Sequence, residues 1–344
     1  MKYGYYPGCS LERNAIAYHQ STMAVARHLG FELNEVEDWN CCGATEYIAV
    51  NRMAAYALVG RNLALAAQQG SNGNGHASAN GNGAAVEPSQ LVAPCSACYL
   101  NLSKVDRYLG DSPELANKTN RALEAGGLNY TPGSVRVRHL LDVVVNDVGT
   151  EEIAAHVRAP LHNLRLAPYY GCLVVRPGFG GQFDDPEYPT SLDKLLRTLG
   201  STVVDFPLKA HCCGGHMTQI SQDTALELIR RILQNAADYQ ADAIVTLCPM
   251  CQINLDLFQE SVNRRFNLHY ELPVLYFTQV LGLAMGIEAA DLGIGKEIID
   301  ARPALAKVGQ AAREQEVGKG ERSARPRRGD RSLPMPRMAG EKSV

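Results

Sequence analysis

The 344 residues carry 33 Lys and Arg against 36 Asp and Glu, a formal net charge of −3, and 46% of them are apolar. That balance supplies no basic surface for nucleic acid, and the longest apolar stretch, Leu272–Ile287, is interrupted by Thr278 and Gln279 and is too short to span a bilayer. The start, Met1–Gly8, lacks the apolar core of a secretory signal, so the expected compartment is the cytoplasm, where thiols stay reduced.

In chain order, Lys2–Tyr6 reads as a short strand broken by Pro7-Gly8, which leaves Cys9 just past its carboxyl end. Asn14–Leu29 has helical spacing of apolar residues and is closed by Gly30; Phe31–Val36 reads as a strand leading into Cys41-Cys42-Gly43. Arg52–Ala67 is a second helix, and a Gly/Asn-rich stretch over about 70–87 is too polar to bury anything, so it reads as a flexible insertion. Leu91–Ala93 is a buried strand delivering Cys95 and Cys98 into the start of a helix, and Val135–Val148 reads as an amphipathic helix.

The second half repeats the order. Arg165–Tyr170 is a strand ending before Cys172, Ser191–Leu199 a helix closed by Gly200, and Thr202–Asp205 a strand before Cys212-Cys213-Gly214. Thr224–Ala237 is a helix, Ala243–Leu247 a strand delivering Cys248 and Cys251, Asn254–Phe258 continues helically, and Leu275–Gly286 matches the Val135–Val148 helix. Strand–helix alternation predicts an α/β fold: two tandem, pseudo-symmetric domains at 1–150 and 160–290, each a small, mainly parallel sheet with flanking helices and with its sulfur-bearing edge facing a shared crevice. The last segment, 302–344, reads as a disordered, weakly basic tail.

All ten cysteines belong to this repeat. Each half has a lone Cys (Cys9, Cys172), an adjacent pair (Cys41 and Cys42, Cys212 and Cys213) and a C-x-x-C (Cys95 and Cys98, Cys248 and Cys251). The lone Cys and the pair are separated by 31 and 39 residues, the pair and the C-x-x-C by 52 and 34, and the 18-residue excess falls in the Gly/Asn stretch. In an open parallel sheet the strands' carboxyl ends share one edge, so sulfurs remote in sequence can converge there. A C-x-x-C opening a helix meets unpaired N–H groups that favour an anionic centre. Gly43, Gly214 and Gly215 are expected to let backbone approach a bulky centre.

Five thiolates exceed the four that zinc or a cubane cluster takes, and two adjacent cysteines suit a centre with several irons. An iron–sulfur cluster of unusual shape is therefore expected; structural zinc in one or both halves and a metal-free redox dithiol are the alternatives, and structural disulfides are disfavoured by the compartment. His211 and His216 flank the second pair and are candidates to donate to a cluster sulfur or a departing thiolate, against the blander reading of a neighbouring or solvent-facing histidine. Tyr5-Tyr6 and Tyr169-Tyr170 are expected to be packing residues, and Lys209 a solvated lysine unless it offsets cluster charge.

This pattern resembles the cysteine-rich CCG domain, which occurs twice in one subunit of heterodisulfide reductase and in the relatives of that subunit, including those of sulfur-oxidation-type complexes; the resemblance covers about residues 1–289. It implies that Cys9, Cys41, Cys42, Cys95 and Cys98 hold one noncubane [4Fe-4S] cluster and that Cys172, Cys212, Cys213, Cys248 and Cys251 hold a second, with zinc in one domain of some members. In the methanogen enzyme of that family a disulfide is split between the two clusters, each adding one electron and capturing one sulfur. The implied function is therefore an oxidoreductase subunit acting on disulfide or sulfur substrates. An electron-relay subunit of a succinate, lactate or glycolate dehydrogenase-type complex is the alternative, and a zinc-stabilised assembly module the third. The chain has no C-x2-C-x2-C-x3-C-P run and no G-x-G-x-x-G beside a suitable strand, so electrons are expected from a ferredoxin-like subunit and, beyond it, a flavoprotein.

Overall fold

The structure is a computed structural model, and it describes residues 1–44, 47–72, 87–176, 178 and 184–308. Eight strands form two four-stranded sheets, parallel throughout. The first contains β1 (Lys2–Tyr5), β2 (Glu32–Glu35), β3 (Ser89–Ala93) and β4 (Val135–His139), in the order β2-β1-β3-β4. The second contains β5 (Arg165–Tyr169), β6 (Thr202–Val203), β7 (Ala243–Thr246) and β8 (Val274–Tyr276), in the order β6-β5-β7-β8. The central strands carry the core: Leu91, Val92 and Ala93 in β3 and all four residues of β7 are buried, as strands covered on both faces by helices must be.

The helices begin and end where local chemistry directs. The helix Ile16–His28 stops at Gly30, whose φ of +69° lets Phe31 N–H reach back to the Ala26 carbonyl at 3.1 Å. Ser191–Thr198 stops in the same way at Gly200, with Ser201 N–H on the Leu196 carbonyl at 3.3 Å. Both glycine stops match the reading from sequence. The helix expected over 52–67 runs on to Asn72, and the remainder of the expected insertion, 73–86, lies outside the described residues.

Two expected helices are corrected. Val135–Val148 opens as β4, paired residue by residue with β3 from Ser89↔Val135 to Ala93↔His139, and turns helical only at Leu140. Leu275–Gly286 likewise opens as β8, and its helix is Phe277–Ala284. In both places a short buried strand runs into a helix with no Gly or Pro between them, so the helical periodicity of the longer segment masks the strand.

The two halves pack through the Ile16–His28 helix and the Phe277–Ala284 helix. Ser21 Oγ and Thr278 Oγ1 lie 2.7 Å apart, and the Tyr18 ring stacks on Tyr276 with centroids at 4.3 Å and planes at 5°. The chain then returns over the first half: a Cβ on Gly293 would sit 2.9 Å from Ala17 Cα, so only glycine allows this approach. Asp256 accepts from Ile298 N–H at 2.7 Å and Ile299 N–H at 3.0 Å, and the short helix Arg302–Leu305 buries Ala304. Ordered packing therefore extends to 308, past the expected start of the tail at 302; the rest of that segment lies outside the described residues. Among the described residues no helix is long and apolar enough to cross a membrane.

Candidate metal centre

Because all strands of a sheet run the same way, their carboxyl ends open on one edge, and every cysteine-bearing segment leaves from that edge. β1 leads to Cys9, β2 to Cys41 and Cys42, and β3 to Cys95, which caps the helix Ser96–Asp111 that carries Cys98. In the second half β5 leads to Cys172, β6 to Cys212 and Cys213, and β7 to Cys248, which caps the helix Pro249–Leu257 that carries Cys251.

The ten sulfurs do gather. Cys41 Sγ lies 3.5 Å from Cys9 Sγ, Cys42 Sγ 3.3 Å from Cys98 Sγ, and Cys213 Sγ 3.5 Å from Cys251 Sγ. Cys41 also neighbours Cys42, Cys98 neighbours Cys95, Cys248 neighbours Cys251, and Cys172 neighbours Cys212, each near enough to shift its partner's ionisation. Cys95 and Cys248, one from each half, shift each other's ionisation as well. Six of the ten (Cys42, Cys95, Cys98, Cys213, Cys248 and Cys251) are buried, whereas Cys9, Cys41 and Cys212 are exposed and Cys172 is half-buried.

Thiols crowded in this way cannot all ionise. Hydrogen bonds from Cys42 and Cys9 and the Gly43 N–H favour the Cys41 thiolate, while its hydrogen bond to Cys41 and burial hold the Cys9 thiol up. In the second half Cys212 is lowered to about 6 by the Cys172 thiol, with Gly214 N–H also donating to it at 3.3 Å, and Cys172 is held up in turn. In the first half Cys41 ionises most readily while its neighbours hold Cys9, Cys42, Cys95 and Cys98 up; in the second, Cys212 and Cys248 are lowered while Cys172 and Cys251 are held up. A cationic centre relieves that repulsion and lets the remaining thiols deprotonate.

The surroundings fit a bulky inorganic core. Gly8 (φ +74°) and Gly171 (φ +66°) each precede the lone Cys, and a Cβ there would stand 2.9 Å from Cys98 Sγ and 2.8 Å from Cys251 Sγ. The closest sulfur approach is therefore at these two glycines. Gly43, Gly214 and Gly215, expected to do this, are instead required by their positive φ values of +74°, +97° and +51°. Among the described residues no group of three or more His, Cys, Asp or Glu side chains closes on a single-ion position.

Several supporting residues were not singled out from sequence. Asn101 Nδ2 donates to the Cys42 carbonyl at 3.2 Å and to the Ala44 carbonyl; Asn254 Nδ2 donates to the Cys213 and Gly215 carbonyls at 3.3 and 2.8 Å and lies 3.5 Å from Cys213 Sγ. Each sits three residues after its C-x-x-C, so the motif in both halves is C-x-x-C-x-x-N, a repeat visible in the sequence. Tyr6 and Tyr169 are buried packing residues, as expected, and their hydroxyls hold the carbonyls that precede the pairs, Asn40 at 2.6 Å and His211 at 2.7 Å.

The remaining candidates divide. His216 lines a pocket of about 310 Å³ with Cys172, Cys212, Met217, Ile220 and Met250, and its wall is mostly apolar. His211 is exposed and takes part in the described hydrogen bonds through its backbone, donating its N–H to the Leu208 carbonyl and accepting from Tyr169. Lys209 is neither solvated nor an unpaired charge beside the sulfurs: it is 1% exposed, 3.0 Å from Asp193 Oδ1 and 3.8 Å above the Tyr188 ring. Among the described pockets, the exposed sulfurs of the two halves open on different ones. Cys9 and Cys41 open on a pocket of about 610 Å³ walled by Glu12, Glu35, Glu37, Asp38 and Trp39, all from the first half. Around the second pocket Ser96 is the single first-half residue.

Fold and sulfur geometry together define a tandem of parallel α/β domains, each closing five cysteines at the carboxyl edge of its sheet. The cysteine-rich domain family CCG matches residues 3–103 and 166–256, and the chain belongs to that family. It is 33% identical over 300 residues to the 8-methylmenaquinol:fumarate reductase membrane anchor subunit of Wolinella succinogenes, covering 87% of this chain and 98% of that protein. It is 27% identical over 310 residues to a subunit of the ferredoxin/F(420)H(2)-dependent CoB-CoM heterodisulfide reductase of Methanosarcina acetivorans, covering 89% and 97%. A protein of Archaeoglobus profundus, named for its likeness to the same heterodisulfide reductase subunit, is also 27% identical, over 84% of this chain and 92% of that one. A crystal structure of a hypothetical protein from Helicobacter pylori shares the fold, with a TM-score of 0.67 and 15% identity over 87% of this chain; the chain spans about half (52%) of that one. Relatives that are redox subunits of reductases make this chain an oxidoreductase subunit.

Proposed function

We propose that the chain is the iron–sulfur relay subunit of a quinol-linked reductase or dehydrogenase complex of the fumarate and succinate type. Cys9, Cys41, Cys42, Cys95 and Cys98 would hold one noncubane [4Fe-4S] cluster, and Cys172, Cys212, Cys213, Cys248 and Cys251 the other. When bound, such clusters take up and release electrons singly, which couples a two-electron carrier to a one-electron chain.

The observation that carries this reading is the separation and unlike chemistry of the two mouths. Splitting a disulfide between two centres calls for one cavity that both reach, yet the exposed sulfurs of the two halves open on different pockets. The second is walled by Leu173, Met217, Ile220 and Met250, with Ile220 73% exposed at its side. That wall fits a flat lipophilic ring better than a charged thiol substrate, and methionine adapts readily to such a ring. His216 is the imidazole on that wall, suited to hydrogen-bond a ring oxygen. The relative named for 8-methylmenaquinol aligns nearly end to end with this chain. On this reading a ferredoxin-like subunit and, beyond it, a flavoprotein take the electrons onward, in the cytoplasm.

A second reading, disulfide or sulfur reduction, is favoured by the relatives named for heterodisulfide reductase. Reduced, anaerobically purified chain mixed with a short-tailed menaquinone or with a mixed thiol disulfide separates the two. Reoxidation by the quinone with no thiol released from the disulfide supports the relay. Thiol release with no reaction toward the quinone supports the sulfur chemistry and overturns the relay.

A further inference from the structure

The two halves meet not at their mouths but at their backs, where Cys95 and Cys248 lie near enough to shift each other's ionisation. Both are buried, and each is the first Cys of its C-x-x-C and the cap of the helix that follows. Directly before them stand Pro94 and Leu247, and a single hydroxyl serves both carbonyls: Tyr18 Oη lies 3.2 Å from the Pro94 oxygen and 3.3 Å from the Leu247 oxygen. One hydroxyl carries one proton, so Tyr18 shares it between the two carbonyls or alternates between them.

A second side chain stands at the junction. His139, at the end of β4, has its ring beside the same two carbonyls, near enough for both to act on it. Its Nδ1 accepts from Leu141 N–H at 3.1 Å, so the ring proton sits on Nε2. The register places His139 beside Ala93 and Tyr276 beside Thr246, each two residues before the first Cys of its C-x-x-C, so the two side chains are counterparts. In the second half that counterpart is the ring on which Tyr18 stacks, and Phe277 meets Tyr18 edge-on at 6.1 Å. Tyr18 is 0% exposed and held on its face by an aromatic stack, so its hydroxyl has little freedom to point elsewhere.

We infer that the junction at which Cys95 and Cys248 meet is the electronic bridge between the two metal sites, and that Tyr18 is the positioning residue that holds it, with His139 beside it. The inference rests on the reading that both quintets hold clusters. Across the bridge one half loses an electron and the other gains it; no bond is made or broken, and no proton is needed. The hydroxyl does not touch the sulfurs. It fixes the backbone from which both emerge, and so their separation. A one-electron relay from the apolar mouth of the second half to the first half requires such a crossing.

Tyr18→Phe keeps the stacked ring and removes the clamp, and Ser21→Ala removes the hydrogen bond to Thr278 between the two packed helices, away from the sulfurs. Each is purified anaerobically as full-length chain, assayed for iron, and reduced fully for electron paramagnetic resonance. The wild-type chain is expected to show a magnetic interaction between its two reduced sites. Tyr18→Phe is expected to lose it at unchanged iron content, and Ser21→Ala to keep it. An interaction unaltered in Tyr18→Phe, or lost equally in Ser21→Ala, overturns the proposal. If Tyr18→Phe fails to retain iron, His139→Asn is measured in the same way, and iron loss there too overturns it, because the pair is assigned to the bridge and not to holding metal. Wild-type chain lacking iron defeats the underlying reading, and the bridge with it.

Discussion

Five cysteines per half are an incomplete description of the sulfur cage, because the cage closes only where the preceding residue has no side chain. A Cβ on Gly171 would meet Cys251 Sγ at 2.8 Å on a backbone that L-residues rarely adopt. Gly171→Ala is accordingly expected to cost the second half its metal and leave the first half loaded, so that iron per chain and the visible absorption both fall to about half for two equal clusters. Unchanged iron content would show that the approach is not needed. The cysteines were legible in the sequence because their spacing repeats. Gly8, Gly171, Asn101 and Asn254 repeat with the same fidelity, yet each is a common residue whose role depends on what the fold brings beside it: a sulfur from another strand, or a carbonyl about forty to sixty residues away.

Among the elements, the segments just before each cysteine pair are pinned differently in the two halves. Three residues ahead of the pair stands Asp38 in the first, ion-paired on the surface with Arg61, and Lys209 in the second, buried on Asp193 of the Ser191–Thr198 helix. The exposed pair contributes little. Removing one partner of the buried pair leaves an uncompensated charge, so Lys209→Met is expected to destabilise the chain by about 3–5 kcal/mol. Adding Asp193→Asn should recover much of that loss in denaturant unfolding of the metal-free chain, whereas purely additive effects would contradict the coupling. Sequence alone suggested a solvated lysine, since nothing local reveals that a helix sixteen residues earlier offers a buried carboxylate. β4 and β8 were hidden for a related reason. Strands of five and three residues are stabilised by pairing with β3 and β7, a contact between distant segments, while the helices they run into display their own periodicity. The strands and glycine stops that were legible carry their signal within a single turn or segment.

At the scale of the whole molecule the repeat is close in backbone and unequal in chemistry. Strand order, sulfur pairs and the tyrosine and asparagine brackets recur, while one mouth is acidic with a tryptophan and the other apolar with methionines and a histidine. Duplication gives two equivalent sets of sulfurs, and divergence of the residues around them gives two different pockets, while Tyr18 ties together the carbonyls that precede Cys95 and Cys248. The sequence made the duplication plain; the inequality was out of sight because the pocket walls come from segments whose relation is fixed only by folding. The most direct test of two occupied cages is metal analysis of chain purified without oxygen. The account predicts about eight irons per chain with matching sulfide, as two four-iron clusters require. Zinc alone, or no metal, would contradict it.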